Sequence, residues 1–205
     1  VFADRVMAID IHPDGKRVVA GGGLPSRSGE IRWIDLDTGS VIQRPSWPHA
    51  DCVNSLRFSP NGELLASASV DETIGIWNAS TDQAVRSLEG HTGHVLSLDW
   101  HDDGNTLASA SSDQTIRVWD VGNGETKKTI KGFDTELTSL QFVRGPNQIV
   151  VGGGNGQLHV VDAIAGSLVR TISTNNDFLF SVAVVPGAAQ VLAGGNQGDV
   201  QLWNL

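Results

Sequence analysis

Residues 107–120, LASASSDQTIRVWD, and residues 64–78, LLASASVDETIGIWN, are two copies of one pattern. Each opens as an apolar strand closed by small residues, passes through a Ser-x-x-x-Asp stretch into a polar turn, and ends in a second alternating strand at Trp119 or Trp77. Outward from these copies the chain repeats at a fixed step. VNSLRF at Val53, VLSLDW at Val95, LTSLQF at Leu137 and LFSVAV at Leu179 stand 42 residues apart. VMAIDI at Val6 stands 47 residues ahead of Val53, the surplus lying mostly in a longer loop at residues 23–30. A period near forty with four short strands per unit marks propeller blades. The fold class is therefore all-β: one domain, with repeats at about 6–52, 53–94, 95–136, 137–178 and 179–205.

Within the third unit the alternation predicts strands a to d at residues 95–100, 106–111, 115–120 and 125–131. The a-to-b turns carry hairpin chemistry. Residues 12–15, 59–62 and 101–104 all end in Asp-Gly or Asn-Gly, where a positive φ costs least. By the same alignment the chain holds five a, b, c triplets and four d strands, the fifth unit lacking its outer strand. Two arrangements fit that inventory, a segment of a longer propeller of seven blades and a tight ring of five.

The Gly90-His91 pair ahead of Val95, the Ser-x-x-x-Asp stretch and the Trp119-Asp120 ending together resemble the WD40 repeat, and the resemblance runs over essentially the whole chain. It implies a buried hydrogen-bond network of Trp, Ser, His and Asp. In the second blade the matching residues are His49, Ser67, Asp71 and Trp77, and in the third His91, Ser109, Asp113 and Trp119. The other blades depart from the pattern. The first has Ala20 and Ile34 at the serine and tryptophan positions; the fourth has Phe133, Val151, Asn155 and Val161; the fifth has Asn175, Ala193, Gln197 and Trp203. Apolar packing is expected to hold those three.

The remaining chemistry is best read conservatively. Ser, His and Asp suggest a hydrolase triad, but the resemblance buries them as structural ties. The glycine clusters at residues 21–23, 152–156 and 194–195 run on into strands rather than a helix N-terminus, so they read as tight b-to-c turns and not as a phosphate cradle. His91 and His94 make an H-x-x-H, yet His91 belongs to the network and no further ligand lies near in sequence, so no metal and no cofactor is expected. A formal charge of −9 argues against nucleic acid and anionic membranes as partners. No apolar run approaches the roughly 20 residues that span a bilayer. Cys52 is the only cysteine, which excludes an intrachain disulfide. A cytoplasmic location is expected, or a periplasmic or exported one for a piece of a longer precursor.

The resemblance implies a non-catalytic scaffold that binds protein or peptide on its top face, formed by the d-to-a loops and b-to-c turns. Residues just before each strand a ring the central channel there: Arg5, Cys52, His94, Glu136 and Phe178. Arg27, on the inserted hairpin at residues 23–30, and Asp134 join them. An aromatic beside acidic groups suits a basic, partly apolar partner. Self-association through the open blade edge is a further expectation. The alternatives are a regulatory or structural segment of a larger multidomain protein, including one fused to an enzyme, and a propeller enzyme. The hairpin GGGLPSRSGEI resembles loops of bacterial WD40 proteins, some attached to c-type haem domains, although the chain has no C-x-x-C-H.

Overall fold

The computed structural model describes residues 5–42, 49–145 and 147–205, in which every regular element is a strand. Blade 1 comprises β1 (Arg5–Ile11), β2 (Arg17–Leu24), β3 (Ser28–Asp35) and β4 (Val41–Ile42). Blade 2 comprises β5 (Val53–Phe58), β6 (Leu64–Ser69), β7 (Ile74–Asn78) and β8 (Ala84–Leu88). Blade 3 comprises β9 (Val95–Trp100), β10 (Thr106–Ser111), β11 (Ile116–Asp120) and β12 (Glu125–Ile130). Blade 4 comprises β13 (Leu137–Val143), β14 (Gln148–Gly153), β15 (Gln157–Asp162) and β16 (Ser167–Ser173), and blade 5 comprises β17 (Leu179–Val184), β18 (Gln190–Gly195) and β19 (Val200–Asn204). Each blade is an antiparallel meander paired in chain order. The a-to-b turns close as the sequence dictates, with Gly15, Gly62 and Gly104 at φ of 70°, 73° and 67°.

The core is divided between neighbours. Four apolar clusters each lie between consecutive blades, such as Trp33, Val19 and Phe58 with Leu56, Leu65 and Trp77 between blades 1 and 2. This is how a stack of sheets that cannot bury both faces alone acquires a core. The end faces stay open. Ile9 and Ile11 on blade 1 are 60% and 57% exposed, and Val200 and Leu202 on blade 5 are 71% and 55% exposed. Their counterparts at the inner interfaces, Leu56, Phe58, Ile74 and Ile76, are all buried. The five blades thus form an open arc rather than a closed five-bladed ring.

Polar latches join one blade to the next. The Asp10 carboxylate accepts the Phe58 backbone N–H at 2.7 Å, Asp99 accepts that of Phe142 at 2.9 Å, and the Gln141 side-chain oxygen accepts that of Val184 at 2.7 Å. Between blades 2 and 3, where Arg57 occupies this position, the Trp100 indole instead donates to the Arg57 carbonyl at 3.0 Å. Without such acceptors these backbone donors would be left unpaired at a buried interface.

One expectation needs correction. The glycine clusters are largely strand, not turn: Gly21–Gly23 lie within β2, Gly152 and Gly153 close β14, and Gly194 and Gly195 close β18. The reason at Gly21 is the neighbouring blade, since a Cβ there would lie 2.7 Å from Leu56 Cδ1 and 2.8 Å from Val53 Cγ1. The insertion at residues 23–30 is a paired hairpin. It lengthens β2 and β3 to eight residues each, with Leu24 paired to Ser28 across the turn. Its Gly29 N–H donates to the His49 carbonyl at 2.8 Å, tying the hairpin to blade 2.

Candidate binding surface

The polar network comes first because it fixes the loops of the top face. In blade 3 the Trp119 indole N–H donates to Ser109 Oγ at 2.9 Å, Ser109 Oγ lies 2.7 Å from His91 Nε2, and His91 Nδ1 lies 2.7 Å from Asp113 Oδ2. Blade 2 repeats this with Trp77, Ser67, His49 and Asp71 at 2.8, 2.7 and 2.9 Å. The direction of every bond is forced. An indole N–H can only donate and a carboxylate can only accept, so the serine hydroxyl donates to Nε2 and the imidazole carries its proton on Nδ1. Burial pulls the His91 pKa down, against the Asp113 charge, which keeps a neutral ring in place. Burial alone would raise Asp113, but bonds from Thr115, His91 and the Thr92 N–H outweigh it and hold the carboxyl below its usual range; Asp71 is held low in the same way by His49 and Thr73. Ser67 and Ser109 are fully buried, and their hydroxyls already take the indole donor. The Ser–His–Asp order of a hydrolase is present, but no path leads to the serine.

A second tie, invisible in the four-residue pattern, fastens the same loops. Ser69 Oγ donates to the Asp51 carbonyl at 3.0 Å and accepts the Asp71 N–H at 3.1 Å; Ser111 repeats this with the Gly93 carbonyl and the Asp113 N–H, both at 3.1 Å. Blade 5 replaces the network by amide chemistry. Buried Asn176 accepts the Gln197 N–H at 3.0 Å, and Asn196 accepts the N–H groups of Asp177 and Phe178 at 3.1 and 3.2 Å. In blade 4 the Phe133 ring, at the histidine position, packs edge-on against His159 at 5.1 Å.

The top-face residues fall into two sectors. Arg5, Arg27 and His94 are exposed, with Arg27 at the tip of the blade 1 hairpin. Around the b-to-c turn of blade 4 lie the acids. Asp134 is exposed and close enough to His159 to oppose the burial that depresses that ring's pKa. Glu136 lies over Gly154, where a Cβ would come within 3.0 Å of its Cγ, and Asp177 follows the Asn176 carbonyl with which any side chain at Gly156 would collide. Beside them half-buried Phe178 packs on Phe180, ring centroids 5.0 Å apart. Phe180, 64% exposed, was not singled out by the sequence; an aromatic on a strand that alternates toward the channel was the available signal. One expectation fails here. Cys52 is buried, and burial followed by the Asp51 charge raises its thiol pKa, so it does not face a partner. The preceding Asp51 carboxylate accepts the Cys52 and Ser26 N–H groups at 2.7 and 2.8 Å.

The model of the WD domain, G-beta repeat (WD40), matches residues 44–78 and 82–120. These are WD40 repeats. The chain is 37% identical over 67 residues to Retinoblastoma-binding-like protein E of Dictyostelium discoideum, covering 33% of this chain and 13% of that protein. It is 29% identical over 93 residues to Pre-mRNA-processing factor 19 of Oryza sativa subsp. japonica, covering 44% and 17%. With the Serine-threonine kinase receptor-associated protein of Dictyostelium discoideum it shares 36% over 72 residues, covering 35% and 23%. The chain therefore spans less than a quarter of the length of each of these relatives. The WD40 matches coincide with blades 2 and 3, the two that carry the Trp–Ser–His–Asp network. Among the described residues no helix is long and apolar enough to cross a membrane.

Proposed function

We propose that the chain is a non-catalytic scaffold that binds a protein or peptide on its top face, in the sector of blades 4 and 5. WD40 repeats typically serve protein interaction, and the observation that carries this narrower reading is the grouping of Asp134, Glu136 and Asp177 about one turn beside the Phe178–Phe180 pair. The acids orient a basic segment and the aromatics supply contact area. Arg5 and Arg27 give the blade 1 sector the opposite sign and repel the same segment. The test is calorimetric titration of the partner recovered by affinity capture. Phe178→Ala should remove about 1–2 kcal/mol of binding energy, and Glu136→Lys should slow association and flatten its salt dependence. Loss of binding only in Asp103→Lys, on the opposite face, would defeat the assignment.

The open end faces favour a second reading, in which the arc completes itself against further blades or another copy. Ile9, Ile11, Val200 and Leu202 occupy positions that are buried at the inner interfaces. Light scattering after size exclusion should show dimers or larger species; a stable monomer at high concentration would refute it.

A further inference from the structure

On the face opposite the proposed partner surface, the junction of blades 3 and 4 differs from its neighbours. Strand d of each of blades 2, 3 and 4 has a β-bulge in its first half: Val85, Lys127 and Val169 are skipped in the pairing. A bulge turns two successive side chains toward one side. The residue that follows is Arg86, Lys128 or Arg170. Arg86 reaches across to blade 3 and donates to the Asn123 and Gly122 carbonyls at 2.8 and 3.0 Å, and Arg170 reaches Asn204 in blade 5 at 3.2 Å. A guanidinium fork spans such carbonyls; a lysine ammonium is a single point on a flexible stem. Among the described residues the Lys128 side chain makes no hydrogen bond or ion pair.

Where the bridge is absent, a groove opens. Its volume is about 330 Å³, with Val118, Phe142, Ala163 and Ile164 as the apolar lining and Lys127 and Lys128 at the rim. Two smaller side chains enlarge it: Phe142 stands where blade 3 has Trp100, and Ala163 where it has Val121. Ile164 is 64% exposed at its edge. The acid on the rim, Asp103, is already engaged by the N–H groups of Asn105 and Thr106 and by the Thr106 hydroxyl at 2.7–2.8 Å. In a chain of net charge −9 the groove thus offers an apolar floor beside two adjacent cations, one of them unpaired.

We propose that this groove is a second binding site, for a short acidic peptide segment of a partner protein that seats an apolar side chain on Phe142 and Ile164 and sets a carboxylate against Lys128. It is separate from the top-face sector and opposite to it in charge preference, so neither reading depends on the other.

The probe is the capped peptide acetyl-Asp-Leu-Asp-Leu-Asp-amide, titrated into the full chain and followed by backbone amide chemical shifts. Saturable shifts at Lys127, Lys128, Phe142 and Ile164 are expected. Lys128→Glu should weaken binding by about tenfold. Lys128→Arg is the sharper variant: it keeps the charge but supplies the fork that closes the equivalent junctions, so binding should fall several-fold while the melting temperature holds or rises. No shift at those amides up to millimolar peptide would overturn the proposal. So would undiminished binding to Lys128→Arg, equal affinity for acetyl-Lys-Leu-Lys-Leu-Lys-amide, or tighter binding of an oligodeoxythymidine at the same amides, which would reassign the groove to nucleic acid.

Discussion

In blades 2 and 3 the indole N–H groups of Trp77 and Trp119 meet a serine hydroxyl at 2.8 and 2.9 Å, whereas in blade 5 the indole N–H of Trp203 is buried without an acceptor, because Ala193 stands where Ser67 and Ser109 stand. Blade 4 shows a similar deficit at His159 Nε2, which is also buried and unpaired. The b-to-c turns differ in the same sense. Blades 2 and 3 hold Glu72 and Gln114 at φ of 72° and 64°, a left-handed conformation that disfavours them, while blades 4 and 5 place Gly156 and Gly198 there at 74° and 79°. The network blades bear that strain because Asp71 and Asp113, one residue earlier, are fixed from several sides. One backbone is therefore reached by two routes, the Trp–Ser–His–Asp network in blades 2 and 3, and glycine turns in blades 4 and 5, joined in blade 5 by the amides of Asn176 and Asn196. The WD40 matches, at residues 44–78 and 82–120, fall on the two blades that carry the network.

The comparison is broken most directly at the tryptophans. Trp119→Phe should cost roughly 1–3 kcal/mol, because Ser109 loses its donor in a fully buried network. Trp203→Phe removes a donor that has no acceptor and should change stability by less than about 0.5 kcal/mol. Denaturant unfolding of both variants checks this; equal losses would remove the distinction between the halves.

Acidity sharpens it next. Asp99 is half-buried at the junction of blades 3 and 4, and loss of solvent there, against the Phe142 N–H and the Arg57 charge, pushes its pKa from 3.8 up to about 6. The folded chain thus holds this proton more tightly than the unfolded one, and the stability so gained is present at low pH and lost as pH rises from about 4 to 6. Asp71 and Asp113, held low, act with the opposite sign: their contribution is present above the ordinary carboxylate value and fails as pH falls below it. Asp99→Asn keeps an acceptor for Phe142 and discards the charge. It should be near neutral at pH 4 and stabilising by about 3 kcal/mol at pH 7.5. A melting-temperature difference that does not grow with pH would contradict the assignment.

The smallest expected effect runs in the constructive direction. Ala193→Ser gives Trp203 the acceptor that Ser109 gives Trp119, and should stabilise blade 5 by about 0.5–1 kcal/mol. A destabilised variant would show that the serine needs its histidine.

The strands were legible because alternation and turn chemistry are local: the period places β9 at Val95–Trp100 and β10 at Thr106–Ser111, as observed. What escaped depends on the next blade. Asp99 reads as an ordinary polar residue on a strand, and only the packing of Phe142 against it makes it a latch. The glycines of β2 looked like a turn because nothing in their own segment tells of Leu56 and Val53 pressing on them. Cys52 stands just before a strand, where the ring is expected, yet it is buried. The bulge that gathers Lys127 and Lys128 is likewise a property of pairing, not of composition.

Blade 4 has a neighbour on each side, as blade 3 does, so comparing them isolates the network from the effect of an open end. Amide hydrogen exchange of the full chain, wild type and Ser109→Ala, reads both blades at once. The account predicts slower exchange in β10 and β11 than in β14 and β15 of the wild type, and a collapse of that difference in the variant. Equal protection of the two blades in the wild type, or an unchanged gap in Ser109→Ala, would contradict it.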